Sequence, residues 1–286
     1  MIQSVGIISK PSKEDIGTVV PPLLEWLHSH GLKAFCDSET AACSTAAGSA
    51  VPREELPGKV DLLIVLGGDG TLLAAARLLG EYDVPILPVN LGGLGFLTSV
   101  TLDELYPLLE LVLAGRHGTT ERMMLQAELL RGNQVVTRQL ALNDAVVTKP
   151  DLARIIDFDV SVNDEFVCRY RADGLIVSTP TGSTAYSLAA GGPIVYPLIQ
   201  AFVITPICPH MLTNRPLVIP DTSRIVIDFS PADEPGHLTV DGQVGFQLQR
   251  GDRVAITRAK SKVHLVRSPQ KTYFEVLRSK LRWGER

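Results

Sequence analysis

Val60-Asp61-Leu62-Leu63-Ile64-Val65-Leu66-Gly67-Gly68-Asp69-Gly70-Thr71-Leu72 is the stretch that decides the fold. Val60 to Leu66 is a β-branched and leucine run that ends in glycines, which predicts a strand, and Leu72 to Leu79 continues at helical spacing. A strand that bends through glycine directly into a helix is half of a strand-helix-strand unit. The same grammar holds outward from it. Ser4 to Ser9 reads as a first strand, and Ile16 to His30 as a helix carried by Val20, Leu23, Leu24 and Leu27. Val84 to Asn90 reads as the next strand and Leu105 to Leu113 as a further helix. The expected architecture is a parallel sheet covered by helices. From Asp37 to Pro57 the residues turn to Ala, Ser, Thr, Glu and Pro without periodicity, and we expect an exposed loop there.

Beyond Leu113 the pattern changes to short strands. They are expected at Met124 to Leu130, Val135 to Leu142, Ala145 to Thr148, Ile155 to Val162 and Phe166 to Arg169, with Asn163-Asp164 as a hairpin turn between the last two. More follow at Leu217 to Ile219, Ile225 to Phe229, Leu238 to Val240, Phe246 to Leu248, Val254 to Thr257 and Val263 to Val266. Thr272 to Leu281 returns to a helical pattern that would pack back on the first domain. The predicted division is an α/β domain over residues 1–115, joined by a C-terminal helix within 268–286, and a β-rich domain over 116–267.

The 286 residues exceed what one hydrophobic core usually fills, and a 45% hydrophobic share with 20% charged residues is that of a globular chain. A net charge of −4 lacks the basic footprint of a nucleic-acid binder. Cys36, Cys43, Cys168 and Cys208 form no Cys-x-x-Cys pair, so neither a zinc knuckle nor a disulfide framework is indicated, and a reducing, cytoplasmic compartment fits. Cys208 reads as a small buried hydrophobe. From Gly174 to Asn214 there is no Asp, Glu, Lys or Arg, a length that could span a membrane. Pro180, Pro193, Pro197, Pro206 and Pro209, with Gly182, Gly191 and Gly192, would break such a helix repeatedly, so no membrane partner is expected.

Three clusters carry chemistry. In Gly67-Gly68-Asp69-Gly70-Thr71 the glycines let the backbone approach a ligand, and the amides and dipole of the following helix favour a phosphate. No Gly-Lys-Ser/Thr ending follows, so it is not the P-loop pattern. Asp69 is unfavourable for mere phosphate binding but suited to taking a proton from a hydroxyl or holding a divalent cation. The plain structural alternative is an Asp that caps the helix. Gly92-Gly93-Leu94-Gly95-Phe96 follows the next strand, and consecutive strand ends of a parallel sheet line one edge, so both loops could face one crevice. Phe96 could stack there on a base or simply fill core. The third cluster runs from Arg171-Ala172-Asp173-Gly174 through Ser178-Thr179-Pro180-Thr181-Gly182-Ser183-Thr184-Ala185-Tyr186-Ser187 to Gly191-Gly192-Pro193. Its hydroxyls suit ribose and amide groups, and Tyr186 offers a ring face; alternatively Thr181 or Ser183 caps a helix starting near Thr184.

Gly67 to Thr71, Asn143-Asp144, Asp173 to Tyr196 and Asp241-Gly242-Gln243 together resemble the ordered signature of the ATP-NAD kinase family, over nearly the whole chain. The Gly-Gly-Asp-Gly loop is shared with diacylglycerol-type lipid kinases and is similar to that of phosphofructokinases, which implies that kind of α/β domain; the Thr-Gly-Ser-Thr-Ala-Tyr run is far more specific. The resemblance implies ATP as phosphoryl donor, Mg²⁺ as cofactor and NAD as acceptor. It makes Asp69 the acceptor of the ribose 2′-hydroxyl proton, with Gly70 beside the dinucleotide. It places Asn143 and Asp144 on the adenosine ribose and Arg154, Arg171, Asp173 and Gln243 along NAD. The segment Thr184, Ala185, Tyr186, Ser187, Leu188 and Ala189 falls to the adenosine pocket, and His210 to a Pro-His position near the crevice. Where the family usually has Glu after the Asn, Asp144 is one methylene shorter. A homodimer or homotetramer through the β-rich domains is implied as well. A lipid kinase and a non-catalytic NAD(H) sensor are the competing readings.

Overall fold

The computed structural model describes residues 2–10, 16–43, 49–149, 156–229 and 235–284, which fall into two compact units, Met1–Glu121 with Val263–Arg286 and Arg122–Lys262. The first unit holds strands β1 (Ser4–Ser9), β2 (Lys33–Asp37), β3 (Ser49–Val51), β4 (Leu62–Leu66) and β5 (Ile86–Val89), with helices α1 (Ile16–Ser29), α2 (Ser38–Cys43), α3 (Asp69–Leu79) and α4 (Leu102–Leu113). The strands lie in the order β3-β2-β1-β4-β5 and every pairing is parallel. All five residues of β4 are buried. Leu62, Ile64 and Leu66 share a core with Val5, Ile7, Leu87 and Val89 and with the apolar faces of α1 and α4, while Leu63 and Val65 alternate to the other face. A strand covered on both faces must be apolar throughout, which is why its sequence reads as an unbroken run. Each such leucine contributes roughly 1.5–3 kcal/mol of burial. Because β4 and β5 are parallel neighbours, the loops that leave them, at Gly67 and at Leu91, start from the same edge of the sheet.

The second unit contains β6 (Thr119–Arg131), β7 (Gln134–Ala141), β8 (Asp144–Thr148), β9 (Ile156–Val162), β10 (Glu165–Ala172), β11 (Gly174–Ser178), β12 (Ala201–Ile207), β13 (Leu217–Pro220), β14 (Ile225–Phe229), β15 (Gly236–Val240), β16 (Val244–Leu248) and most of β17 (Asp252–Val266), with the short helix α5 (Tyr186–Ala189). One antiparallel sheet has the order β13-β12-β11-β8-β15-β16, and a second layer places β10, β9, β14 and β17 side by side. Ala145 and Val147 of β8 point into a core shared with Phe158, Phe202, Phe229 and Leu238. By the period of two, Asp144, Val146 and Thr148 then point the other way. Asn163 and Asp164 join β9 to β10 with φ of 51° and 66°, the pair of positive values that a two-residue type I′ hairpin requires.

Several sequence expectations are corrected. The described part of the segment 37–57 is not a loop: α2, β3 and a 3-10 turn at Arg53–Lys59 occupy it, and Asp37 and Thr40 are fully buried, while residues 44–48 lie outside the described residues. Asp37 accepts from the Thr40 amide (3.0 Å) and from Arg53 Nε (2.6 Å), so side-chain bonds hold together elements too short to show a period. The charge-free run contributes β11 and β12 to the middle of a sheet, and no helix among the described residues is long and apolar enough to cross a membrane. The strands expected at 254–257 and 263–266 are one, β17. Cys208 is exposed rather than buried. The alternative cap role of Thr181 or Ser183 fails, because a 3-10 turn at Gly182–Thr184 begins without a side-chain cap and Ser183 Oγ donates instead to the Pro180 carbonyl (2.6 Å).

The tail returns to the first unit, where α6 (Tyr273–Leu281) starts at Thr272 with a reciprocal cap from Glu275. Glu104 of α4 holds the approach to it, accepting from Ser268 Oγ (2.6 Å) and Lys271 Nζ (2.9 Å). Burial opposes ionisation of Glu104, but the bonds from Ser268, Thr101 and Lys271 outweigh it and hold the carboxyl at about 2.

Candidate active site

In the first unit the chain passes from β4 through Gly67 and Gly68 into α3, with Gly68 as N-cap and Asp69 as the first helical residue. Asp69 therefore does not cap its own helix. Its carboxylate reaches across to the loop after β5, where Oδ2 accepts from the Phe96 amide (3.0 Å) and Oδ1 from the amides of Leu97 (3.1 Å) and Thr98 (3.0 Å) and from Thr98 Oγ1 (3.0 Å). The two glycine loops are thus one construction, joined through a carboxylate. Gly95 is required for it, since a Cβ there would overlap Asp69 Oδ1 and Thr98 Oγ1. Gly67 is buried over the Thr71 side chain, Gly70 is exposed and Thr71 half-buried. Phe96 is half-buried with Lys280 Nζ 5.9 Å from its ring centroid.

In the second unit a cavity of about 330 Å³ is lined by Asn143, Asp144, Val146 and Thr148 on one side, Ala185 and Tyr186 on another, and Thr239, Asp241 and Gly242 on a third. That volume lies at the lower end of the range for small-molecule sites. Asp241, with φ of 50°, sits in the turn between β15 and β16, and its carboxylate accepts from the amides of Leu142 (3.2 Å), Asn143 (2.8 Å) and Asp144 (3.3 Å). The 142–144 turn is therefore pinned by a charge from a distant hairpin. Thr179 braces it from the other side, donating Oγ1 to the Leu142 carbonyl (2.6 Å). Asn143 Oδ1, Ser178 Oγ and Thr181 Oγ1 are buried and have no hydrogen-bond partner among the described residues. Each such group costs roughly 1–3 kcal/mol while it lacks a partner, and of the three residues Asn143 lines the cavity.

Burial and then the neighbouring Asp241 push the Asp144 carboxyl up from 3.8 to about 7. Since the folded-state value exceeds the unfolded one, protonation favours the fold. The penalty for keeping this group is absent below about pH 4 and grows as pH rises to about 7. Asp144→Asn should then stabilise the protein relative to wild type by on the order of 2 kcal/mol more at pH 8 than at pH 5. Thermal melts of both proteins at the two pH values measure this, and a pH-independent difference would contradict the assignment.

The remaining sequence candidates are distributed as follows. Asp173 is ion-paired with Lys149 (2.7 Å). Arg171 is exposed on β10, and its carbonyl accepts from the amide of the exposed His210 (2.9 Å). Ser187 is fully buried and bonds Thr205 (2.9 Å), so its hydroxyl faces the sheet and not the cavity. Thr184, Leu188, Ala189 and Gln243 are not among the cavity residues, and Arg154 lies outside the described residues. Thr98, and the part that the Asp241 carboxylate plays, escaped the sequence reading. Asp241 stood in the sequence only within the Asp241-Gly242-Gln243 signature, with no role given to it, and Thr98 carried no signal of its own. Among the described residues no three His, Cys, Asp or Glu side chains gather as a cation site.

Comparison with known proteins agrees across both units. The family model for the ATP-NAD kinase N-terminal domain matches residues 5–117, and that for the ATP-NAD kinase C-terminal domain matches 142–268. The chain is 52% identical over 289 residues to the NAD kinase of Geobacter sp. (strain M21), with all of both chains covered. It is 50% identical over 286 residues to the NAD kinase of Solibacter usitatus (strain Ellin6076), covering 100% of this chain and 99% of that one. Among solved structures it is similar to a yeast NADH kinase complexed with NADH, with a TM-score of 0.91 at 28% identity, covering 100% of this chain and 89% of the yeast chain.

Proposed function

This chain belongs to the ATP-NAD kinase family, and from that premise we propose that it phosphorylates the 2′-hydroxyl of the adenosine ribose of NAD, with ATP as donor, to give NADP. The observation that carries the assignment to specific groups is the pair Asn143 and Asp144 on the 330 Å³ cavity, with Asn143 Oδ1 unpartnered among the described residues. A ribose hydroxyl is the donor that such an acceptor lacks. Asn143 and Asp144 would bind the adenosine ribose, with Ala185 and the half-exposed Tyr186 against the base. Gly67, Gly68, Gly70 and Thr71 would cradle the donor phosphates at the amino end of α3.

Phosphoryl transfer asks mainly for positioning and charge neutralisation. As the ribose 2′-oxygen forms its bond to the γ-phosphorus, Asp69 takes the hydroxyl proton. The bond from the γ-phosphorus to the bridging oxygen breaks, and ADP leaves with that oxygen. We propose that Mg²⁺ accompanies ATP, where it would neutralise charge on the donor phosphates. Arg171, Asp173, Gln243 and His210 are proposed along the dinucleotide on family likeness alone. The same likeness is the ground for a homodimer or homotetramer and, with no disulfide joining the four cysteines, for a cytoplasmic location.

Purified protein given ATP, Mg²⁺ and NAD should produce NADP, read by an enzyme that reduces only NADP. NAD binding without NADP formation would support a sensor, and phosphorylation of diacylglycerol in place of NAD would support a lipid kinase.

A further inference from the structure

We infer that Thr98 is a positioning residue for phosphoryl transfer: it holds Asp69 Oδ1 so that Oδ2 is the oxygen presented to the hydroxyl. The inference rests on Asp69 being the proton acceptor, and it concerns only side chains of the first unit. Thr98 is fully buried, and its hydroxyl lies between Asn90 Nδ2 (2.8 Å) and Asp69 Oδ1 (3.0 Å). An amide nitrogen can only donate, so the Thr98 oxygen accepts from Asn90 and its single proton must go to Asp69. Asn90 is itself fixed, since its Oδ1 accepts from the Gly92 amide (2.7 Å) and its Nδ2 also donates to the Gly93 carbonyl (2.9 Å). The direction of the chain from Asn90 through Thr98 to Asp69 is therefore set by chemistry and not by chance rotation.

The consequence is an asymmetric carboxylate. Oδ1 receives three donors, from the Leu97 amide, the Thr98 amide and the Thr98 hydroxyl, which exhausts its lone pairs. Oδ2 receives one, from the Phe96 amide, and keeps a lone pair for an incoming proton. Without the Thr98 hydroxyl the carboxylate loses one of the four bonds that fix its rotation, the only one of them from a side chain, and a displacement of even an ångström can cost up to about 10²-fold in rate.

Turnover and KM for NAD are measured for Thr98→Val, Thr98→Ser, Asp69→Asn and the double variant Asp69→Asn with Thr98→Val, with melting curves for each. Thr98→Val should lower kcat by roughly 10- to 100-fold with KM for NAD changed less than about threefold. Thr98→Ser, which keeps the hydroxyl, should restore kcat to within about threefold, and in the Asp69→Asn background Thr98→Val should cost no more than about twofold because its effect passes through the carboxylate. Unchanged kcat in Thr98→Val, or the same loss with and without Asp69, overturns the positioning role while leaving Asp69 as the base. Full turnover in Asp69→Asn overturns the base assignment and the inference with it. Should melting show that Thr98→Val does not fold, Thr98→Ala against Thr98→Ser replaces it, and equal kcat in that pair overturns the inference.

Discussion

Asp69→Asn should reduce turnover by roughly 10²–10⁴-fold, the loss typical of a missing general base, while NAD still binds with nearly wild-type affinity. Asparagine has almost the shape of aspartate, but its Nδ2 cannot accept a proton and would meet donors in place of an acceptor. The affinity is expected to survive because the residues proposed to hold the adenosine, Asn143, Asp144, Ala185 and Tyr186, belong to the other compact unit. Steady-state kinetics together with calorimetric titration of NAD separates the two quantities. A parallel loss of affinity and turnover would mean that Asp69 serves only to tie the loop 96–98 in place, a role its four hydrogen bonds would allow.

The second large effect is expected at Gly182. A Cβ there would overlap the carbonyl oxygen, carbonyl carbon and Cα of Asn143, all backbone atoms. No flexible side chain can move aside, and the turn cannot shift without losing the bonds from Thr179 and Asp241 that hold it. Gly182→Ala should destabilise the protein by about 3 kcal/mol, as overpacked sites do, and weaken NAD binding more than tenfold. Gly245→Ala is the matched control, because a Cβ at that position meets nothing within 4 Å, and it should stay within about 0.5 kcal/mol of wild type. Chemical denaturation and NAD titration of the two variants measure both effects. A Gly182→Ala protein as stable as the control would contradict the close approach.

How much of this was legible in the sequence follows from what each element depends on. The strand β4 and its glycine bend were readable because burial on both faces leaves an unbroken apolar run, and the hairpin at Asn163-Asp164 because only a few residues tolerate two successive positive φ values. The strands β11 and β12 were hidden by the same kind of burial: without alternation and among prolines and glycines, their runs showed no strand period, although the prolines did exclude a spanning helix. The elements between Asp37 and Lys59 depend on the Arg53 to Asp37 bond, which no local pattern announces.

The site divides in the same way. Asp69, Asn143 and Asp144 were visible as motif residues. The contacts that aim them were not, because Thr98 lies 29 residues from Asp69 and Asp241, itself a signature residue, lies 97 to 99 residues from the amides it binds. Ser187 shows the limit of carrying a segment over whole, since its neighbours Ala185 and Tyr186 line the cavity while its own hydroxyl is spent on Thr205.

The most direct measurement is a crystal structure of the protein with NAD and a non-hydrolysable ATP analogue bound together. The account predicts the adenosine 2′-hydroxyl oxygen at about 3 Å from Asp69 Oδ2, with Oδ1 still held by Thr98. A 2′-hydroxyl bonded to some other base, with the Asp69 carboxylate turned away from it, would contradict the account.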